Sequence, residues 1–320
     1  MATLLCSLIR ARCKRSPRVT SLLLGLWIIF GQSSLVWAAP GAKQILTQDI
    51  HGVVTLEKTR QPHEILRTIR IATDGKLLIE PGATVVVAPG AKIEVVGILA
   101  VTEASEDERA IIRNGVAGQL WGGISVEKGG SGSFSGLEIL GADVGITSRQ
   151  DGPAVDIENC VITTCMNGVR LERSRDRHQI RNSVVAANRK NGVVVSLAKF
   201  DLIQSTVMGN GEHGILLKYY GNGKIQNCTI TQNPTAIRST VYETKLEMAG
   251  TNIAGNRISI SVNTPNDFRC RGNFWGAVNP IAIAAQIHDG YDKPGRGRVD
   301  FTEFAAKPFS EAGAQLKWGP

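Results

Sequence analysis

The sequence predicts an all-β fold, namely a single-stranded parallel β-helix with about 23 residues and three strands in each turn. Three observations predict it. Apolar residues recur at a fixed period from about residue 139 to residue 260, apolar and polar residues alternate around them, and amide side chains recur at the same period. A repeat of this length cannot bury its own apolar face, so neighbouring repeats must stack and share one core.

The apolar residues form three rows, which implies three strands and three faces in each turn. The first row contains Ile157, Ile180, Leu202, Ile225 and Met248. The second row contains Ile139, Ile162, Val185, Val207, Ile230 and Ile253. The third row contains Ile146, Val169, Val193, Ile215, Ile237 and Ile258, and its spacing drifts at the end.

The residues around these rows have the pattern of strands. Val169 and Leu171 are spaced two residues apart, as are Ile215 and Leu217, and a period of two is typical of a β-strand. If each turn rises by one interstrand spacing, roughly 4.8 Å, every row residue lies on its counterpart in the next turn.

Amide side chains form two further rows. The first contains Asn159, Asn182, Gln204 and Asn227, and the second contains Asn188, Asn210, Asn233 and Asn256. An amide in the first row can satisfy backbone groups of a sharp turn and bind its neighbour in the next turn. In the second row we expect asparagine because it tolerates the left-handed conformation of a bend. Both rows therefore indicate turns rather than a ligand site.

Motifs that flank the repeat resemble a known family. They are LIEPG at 78–82, APG at 88–90, WGGI at 121–124, NFWG at 273–276, IHDGYD at 287–292 and GRVDF at 297–301. Together with the repeat, they are similar to the pectin-lyase-like superfamily, to secreted bacterial β-helix proteins and to the β-helix modules of the animal junction protein bark beetle. The resemblance implies a right-handed coil, which also agrees with the usual hand of parallel crossovers. It implies no single activity, because the superfamily contains lyases, hydrolases, epimerases and adhesins.

The chain divides into four predicted segments. Residues 1–38 form a signal peptide, 39–75 an N-terminal lead-in and cap, 76–272 the β-helix, and 273–320 a C-terminal cap. The first segment has five basic residues, no acid and an apolar run at 22–30, which is typical of an export signal cut after Ala38. An uncleaved membrane anchor is the alternative. After cleavage, the mature chain would be secreted or periplasmic and would have no membrane span.

Charge gives limited information about partners. Removal of the signal lowers the formal net charge from +8 to about +3, and no nucleic-acid motif is present, so we expect no nucleic-acid partner. Basic residues cluster in and around a polar loop at 172–179. Arg173, Arg175 and Arg177 of this loop are candidates for binding an acidic polysaccharide or a lipid head group. Tyr219 and Tyr220 are candidate platforms for a sugar. A solvated loop and loop packing are the alternatives.

The cysteines indicate little beyond the compartment. Cys160 and Cys228 occupy equivalent positions three turns apart, roughly 14 Å, which is too far for a disulfide. Cys160 and Cys165 could pair, or all four mature cysteines could be free thiols in the core. No metal motif is present, and we expect no cofactor. Calcium at Asp289, Asp292 and Asp300 is an alternative to capping by these carboxylates.

Candidate catalytic groups are few. Asp156 and Glu158 flank an inward residue and should project from one outer face, although the 23-residue step places Glu158 beside Arg181. Asp176 and His178 could form an acid–base couple in the polar loop.

Two classes of function remain open from the sequence. We expect an exported, non-catalytic binding or structural module whose partner is a polysaccharide or another envelope component. The alternative is a polysaccharide lyase or hydrolase that acts on uronic-acid glycans. The sequence does not indicate the oligomeric state.

Overall fold

The computed structural model describes residues 42–102, 108–174, 176–240 and 242–318. They belong to one compact unit, Ala38–Pro320. The predicted signal peptide lies outside the described residues. Nearly all regular elements are short strands, as the period of the sequence predicts, and the described residues contain one short helix.

The first sixteen strands cover the N-terminal half of the coil. They are β1 (Ile45–Leu46), β2 (Val53–Leu56), β3 (His63–Ile65), β4 (Ile69–Ile71), β5 (Lys76–Ile79), β6 (Thr84–Val87), β7 (Lys92–Val95), β8 (Ile98–Val101), β9 (Ala110–Asn114), β10 (Gly123–Val126), β11 (Ser133–Ser135), β12 (Leu137–Leu140), β13 (Val144–Ser148), β14 (Asp156–Glu158), β15 (Val161–Thr163) and β16 (Asn167–Leu171).

The remaining elements complete the coil. They are β17 (His178–Arg181), β18 (Val184–Ala186), β19 (Asn191–Ser196), β20 (Lys199–Ile203), β21 (Thr206–Met208), β22 (His213–Lys218), β23 (Asn222–Gln226), β24 (Thr229–Thr231), β25 (Thr235–Ser239), β26 (Lys245–Ala249), β27 (Asn252–Ile253), β28 (Ile258–Ser261), β29 (Phe268–Arg269), helix α1 (Pro280–Ala284), β30 (Ile287–His288) and β31 (Val299–Asp300).

The strands form parallel sheets that run the length of the coil. Sheet A has ten strands, in the order β1, β3, β6, β9, β12, β15, β18, β21, β24 and β27. Sheet B also has ten, from β4 through β7, β10, β13, β16, β19, β22, β25 and β28 to β30. Sheet C contains β11, β14, β17, β20, β23, β26, β29 and β31, and sheet D contains β2, β5 and β8. The chain visits A, B and then C or D in each turn. The fold is therefore a parallel β-helix of about ten stacked turns.

The pairing register confirms the apolar rows. Ile157 pairs with Ile180 in sheet C, and Ile139 pairs with Ile162 in sheet A. The end of the third row is corrected. Ile237 pairs with Ile260, whereas the predicted Ile258 lies two residues earlier, at the half-exposed start of β28. The choice of Ile260 restores the 23-residue step, so the apparent drift came from the assignment.

The amide rows have distinct roles. A first-row amide binds its neighbour in the next turn, as predicted, since Asn182 Nδ2 lies 2.7 Å from Asn159 Oδ1, but the left-handed backbone was assigned to the wrong row. The first row has the left-handed backbone, with φ of +53° at Asn159 and +39° at Asn182. Asn188 and Asn210 of the second row are buried, and their amides form a hydrogen-bonded ladder inside the coil, with Nδ2 of Asn188 at 2.9 Å from Oδ1 of Asn210. The left-handed residue comes just before the second row, as at Ala187. An inward amide such as that of Asn210 therefore satisfies buried backbone groups of the preceding turn and also bonds to the asparagine side chain of the next turn.

Aromatic and acidic residues close the C-terminal end of the coil. Trp275 is fully buried, and its ring lies 6.2 Å from that of Phe301 in an edge-on arrangement. The buried Asp289 accepts hydrogen bonds from the backbone N–H groups of Tyr291 and Val299, at 2.9 and 2.8 Å. This carboxylate therefore organises the closing loop.

Residues 309–318, the C-terminal strap, run back along the outer face of sheet A. The Asn252 amide exchanges two hydrogen bonds of 2.9 Å with the backbone of Phe309, and the Gln315 N–H donates to Asn182 Oδ1 at 2.7 Å. Leu316 and Trp318 of the strap pack over an apolar patch on sheet A. This patch contains Val161, Val184 and Ala186. The strap thus buries valines that project away from the coil interior.

Candidate functional site

Three of the four tyrosines form one exposed cluster on the coil. Tyr219 and Tyr220 lie in the loop between β22 and β23, and Tyr242 lies in the equivalent loop of the next turn. The Tyr219 and Tyr242 rings are 4.8 Å apart, and the Tyr220 and Tyr242 rings are 6.2 Å apart. The three residues are 40%, 56% and 46% exposed. We call the edge where loops join sheet B to sheet C the B–C corner.

The backbone at the B–C corner makes the tyrosines unusual. Left-handed residues recur there, with φ of +93° at Gly129, +61° at Asp151 and +55° at Leu197. Tyr219 and Tyr220 follow with φ of +42° and +64°. Glycine, aspartate and asparagine adopt this conformation readily, whereas a bulky residue is strained by about 1–2 kcal/mol. The turn geometry requires the conformation, but it does not require a tyrosine.

A row of polar side chains runs beside the aromatic cluster. Lys199, Asn222 and Lys245 are the first residues of three successive sheet C strands, and they pair directly with one another. The two lysines are exposed, and Asn222 is half-exposed. Lys218 lies on the other side of the cluster, with Nζ 5.4 Å from the centre of the Tyr219 ring. The corner thus combines flat apolar surfaces with hydrogen-bond donors.

The structure places Arg173, one of the predicted ligand-binding arginines, at the same corner. The loop between β16 and β17 contains Arg173, which is exposed one turn before Leu197. Arg177 is committed elsewhere, because its Nη1 lies 2.9 Å from Asp201 Oδ1 and also donates to the Phe200 carbonyl. Arg175 lies outside the described residues. Arg173, Tyr219 and Tyr220 therefore share an edge of the coil, although about 46 residues separate them.

The predicted catalytic residues do not converge in a groove. Asp156 and Glu158 do project from one face, as the alternation predicts, but both face Arg181, at 2.9 and 3.6 Å. His178 is fully buried inside the coil, and its Nδ1 accepts the Val155 N–H at 3.0 Å. Burial lowers the pKa of His178 to about 4. Asp176 is exposed in the loop that precedes it, so the two do not form a couple on one surface.

A second surface feature lies on the outer face of sheet C, near the C-terminal end. This groove of about 610 Å³ is lined by charged side chains. Glu247 lies 3.8 Å from both Lys224 and Arg269, and Arg271 pairs with Asp300. The hydrogen bonds from Thr302 and then from Arg271 lower the pKa of Asp300. The charges of the groove are therefore matched internally, unlike the lysines of the B–C corner.

Together these observations define a repeat protein of the parallel β-helix class with charged and aromatic side chains on its outer surface. Residues 84–290, about two thirds of the chain, match the family described as periplasmic copper-binding protein (NosD), and the chain belongs to this family. No curated protein and no solved structure gives a significant match. Among the residues that the structure describes, no helix is long and apolar enough to cross a membrane.

The family description raises the question of copper, and the cysteines do not fit such a site. Cys160, Cys165, Cys228 and Cys270 are all free and buried. Burial raises the pKa of Cys160, Cys165 and Cys228 to about 12, so these thiols stay protonated, whereas a metal binds the thiolate. The Cys228 Sγ lies 3.1 Å from the Gln226 carbonyl, the same contact that the Ser205 hydroxyl makes with Ile203. These cysteines therefore act as core residues.

The histidines do not provide a copper site either. All five histidines lie in the described ranges. In His63, Nδ1 accepts the Gln44 N–H at 3.0 Å, and Nε2 lies 2.7 Å from the Glu57 carbonyl. His51 faces Asp74 on the surface. Within the described residues, no group of three or more His, Cys, Asp or Glu side chains could hold a metal ion. The donor set of the residues that the structure describes therefore does not fit copper, and Asp289, Asp292 and Asp300 likewise do not form such a group.

Proposed function

We propose that the protein is an exported, non-catalytic binding module that holds carbohydrate on the tyrosine cluster of the B–C corner. The family supports an exported periplasmic β-helix, and the motifs at 78–82 and 273–276 favour a place in the pectin-lyase-like superfamily. Carbohydrate is the ligand class that fits best, because a sugar ring offers both an apolar face for stacking and hydroxyl groups for hydrogen bonds.

One observation carries the proposal, namely that the corner holds exposed tyrosines where glycine or asparagine would be less strained. Two left-handed tyrosines cost about 2–4 kcal/mol together. The two ring contacts with Tyr242 return about 0.5–1.5 kcal/mol each. At the middle of these ranges, the ring contacts contribute about 2 kcal/mol against about 3 kcal/mol of backbone strain, so packing within the cluster offsets only part of the strain. Residues held in strained conformations concentrate at functional sites, and these rings are accessible.

The enzymatic alternative lacks a comparable observation. Asp156 and Glu158 share the guanidinium of Arg181, and His178 faces the core. A retaining or inverting hydrolase needs two carboxyl groups that face the same substrate, one of them protonated. The tyrosine cluster needs only a ligand with a flat apolar face.

The test is a glycan-binding measurement on variants of the cluster. We expect Tyr219→Asn combined with Tyr220→Asn to weaken binding at least tenfold, because the stacking surface is lost. The melting temperature should be equal or higher, because asparagine relieves the backbone strain. A merely structural role for the tyrosines would lower the melting temperature instead.

Tyr291 provides the matched control. It is the fourth tyrosine, it is 75% exposed, and it lies in the C-terminal cap. Tyr291→Ala should leave glycan binding unchanged. Equal binding by the parent protein and the Tyr219/Tyr220 double variant would contradict the proposal.

A further inference from the structure

The aromatic cluster and the polar row beside it follow the axis of the coil. Leu197, the two adjacent tyrosines and Tyr242 lie on three successive turns of the B–C corner. Lys199, Asn222 and Lys245 occupy the same three turns, one residue per turn. A ligand that contacts every member of either row must therefore extend along the axis rather than across it.

The spacing of the rows constrains the ligand. Successive turns are roughly 4.8 Å apart, so the backbones at Lys199 and Lys245 are roughly 10 Å apart, with Asn222 between them. A sugar in an extended β-linked chain advances by close to one turn. Such a chain would meet a cation, a neutral amide and a cation at three successive sugars.

We propose that the B–C corner binds an extended, acidic β-linked polysaccharide parallel to the coil axis, with one anionic group per two sugars facing Lys199 and Lys245. The sugar between them would meet Asn222, whose amide can donate to a hydroxyl or accept from one. This inference rests on the proposed function, because it assumes that the tyrosines hold sugar rings.

The charges around the corner are consistent with an anionic ligand. Neither Lys199 nor Lys245 forms an ion pair among the described residues. The nearby acid Asp201 is matched by Arg177. Glu243 is exposed beside Tyr242, and Asp267 ends the polar row one turn after Lys245.

Asp267 accepts the Arg298 backbone N–H at 2.7 Å, and its negative charge would repel an anion at that turn. The anion-facing stretch is therefore limited to the three turns that contain the tyrosines. An anionic lipid surface would also attract lysines and tyrosines, but it would not require one residue per turn in a fixed order. The ordered row favours the polysaccharide.

The experiment uses three probes in calorimetric titrations: an octasaccharide of hyaluronan, with one carboxylate per disaccharide, a neutral chitin hexasaccharide, and vesicles of anionic phospholipid. We expect the hyaluronan octasaccharide to bind at least tenfold more tightly than the chitin hexasaccharide. Lys199→Gln and Lys245→Gln should each remove most of this difference, whereas Lys76→Gln, at the start of β5, should have no effect.

A register variant separates spacing from net charge. Lys199→Gln combined with Asn222→Lys keeps the net charge but places the two lysines one turn apart. We expect it to bind hyaluronan as weakly as Lys199→Gln alone. Full binding by this variant would overturn the spacing argument.

The remaining outcomes distinguish the two proposals. Equal affinity for the neutral and acidic oligosaccharides would overturn this inference and leave the proposed function in place. Binding to vesicles alone, or to none of the probes, would overturn both.

Discussion

Lowering the pH should reduce the free energy of unfolding of this protein, and we expect the buried His178 to contribute more to this loss than an exposed histidine would. The side chain is fully buried and neutral, and its Nδ1 is bound to the Val155 N–H. Burial lowers its pKa from an ordinary 6.5 to about 4 in the folded state. The unfolded chain therefore binds a proton between these pH values, while the folded protein does not.

The magnitude follows from proton linkage. The stabilisation is fully present above pH 6.5 and is lost as the pH falls through 4. Relative to pH 7.5, the free energy of unfolding should fall by about 1.4 kcal/mol at pH 5.5 and by about 3 kcal/mol at pH 4 from this group alone. The lowered pKa of His213 has the same sign and adds to the measured loss.

The assay is urea unfolding at pH 7.5 and pH 5.5 for the parent protein and for His178→Leu. Leucine fills the site but leaves the Val155 N–H without its partner, so the variant should be less stable at both pH values. The difference between the two pH-dependent losses isolates His178, because the other titrating groups are common to both proteins. An equal loss in both would refute the assignment of a buried neutral histidine.

Three further predictions concern the core and the strap. Asn210→Ala removes an amide whose buried hydrogen bonds link three turns, and it should cost about 3 kcal/mol or more in urea unfolding. Val184→Ser should lower the free energy of unfolding by about 2 kcal/mol, because the strap buries this outward residue. Val86→Ser, on an uncovered part of sheet A, should lower it clearly less, and equal losses would contradict the role of the strap. Cys228→Ser should change the melting temperature by only a few degrees, because Ser205 fills the equivalent position, and should leave copper uptake unchanged; lost copper would identify the thiol as a ligand.

The sequence predicts the coil well because its core is periodic. Each inward residue packs on a counterpart about 23 residues away, so the rows record the pairing register directly. The assignment of Ile258 to the third apolar row was wrong, because no regular repeat follows the last turns and fixes the end of the row. The amide rows were predicted at the right positions, but spacing alone does not show which row has the left-handed backbone.

The C-terminal strap could not be predicted from the period. Its hydrogen bonds go to side chains of several turns, such as Asn252 and Asn182, and the strap itself contains no repeat. The sequence did contain a signal in sheet A. Val161 and Val184 occupy outward positions of two successive strands, where the alternation predicts polar residues. Outward valines on two successive turns indicate a covered surface.

The binding corner was found only in part. Tyr219 and Tyr220 were singled out as neighbours in sequence, but Tyr242 was missed, although it follows Tyr219 by one 23-residue period. Lys199 and Lys245 share the same periodic signal. The sequence predicted too many binding residues in the arginine cluster. Arg177 was a candidate, but it forms an ion pair with Asp201 of the next turn, which the local sequence does not reveal.

Tyrosine nitration in the presence of a bound glycan tests the central claim most directly. The four tyrosines are all exposed, so tetranitromethane should modify each of them in the free protein. With saturating hyaluronan octasaccharide, we predict protection of Tyr219, Tyr220 and Tyr242 and unchanged modification of Tyr291. Equal modification of the three cluster tyrosines with and without the bound glycan would show that the ligand binds elsewhere and would contradict this account.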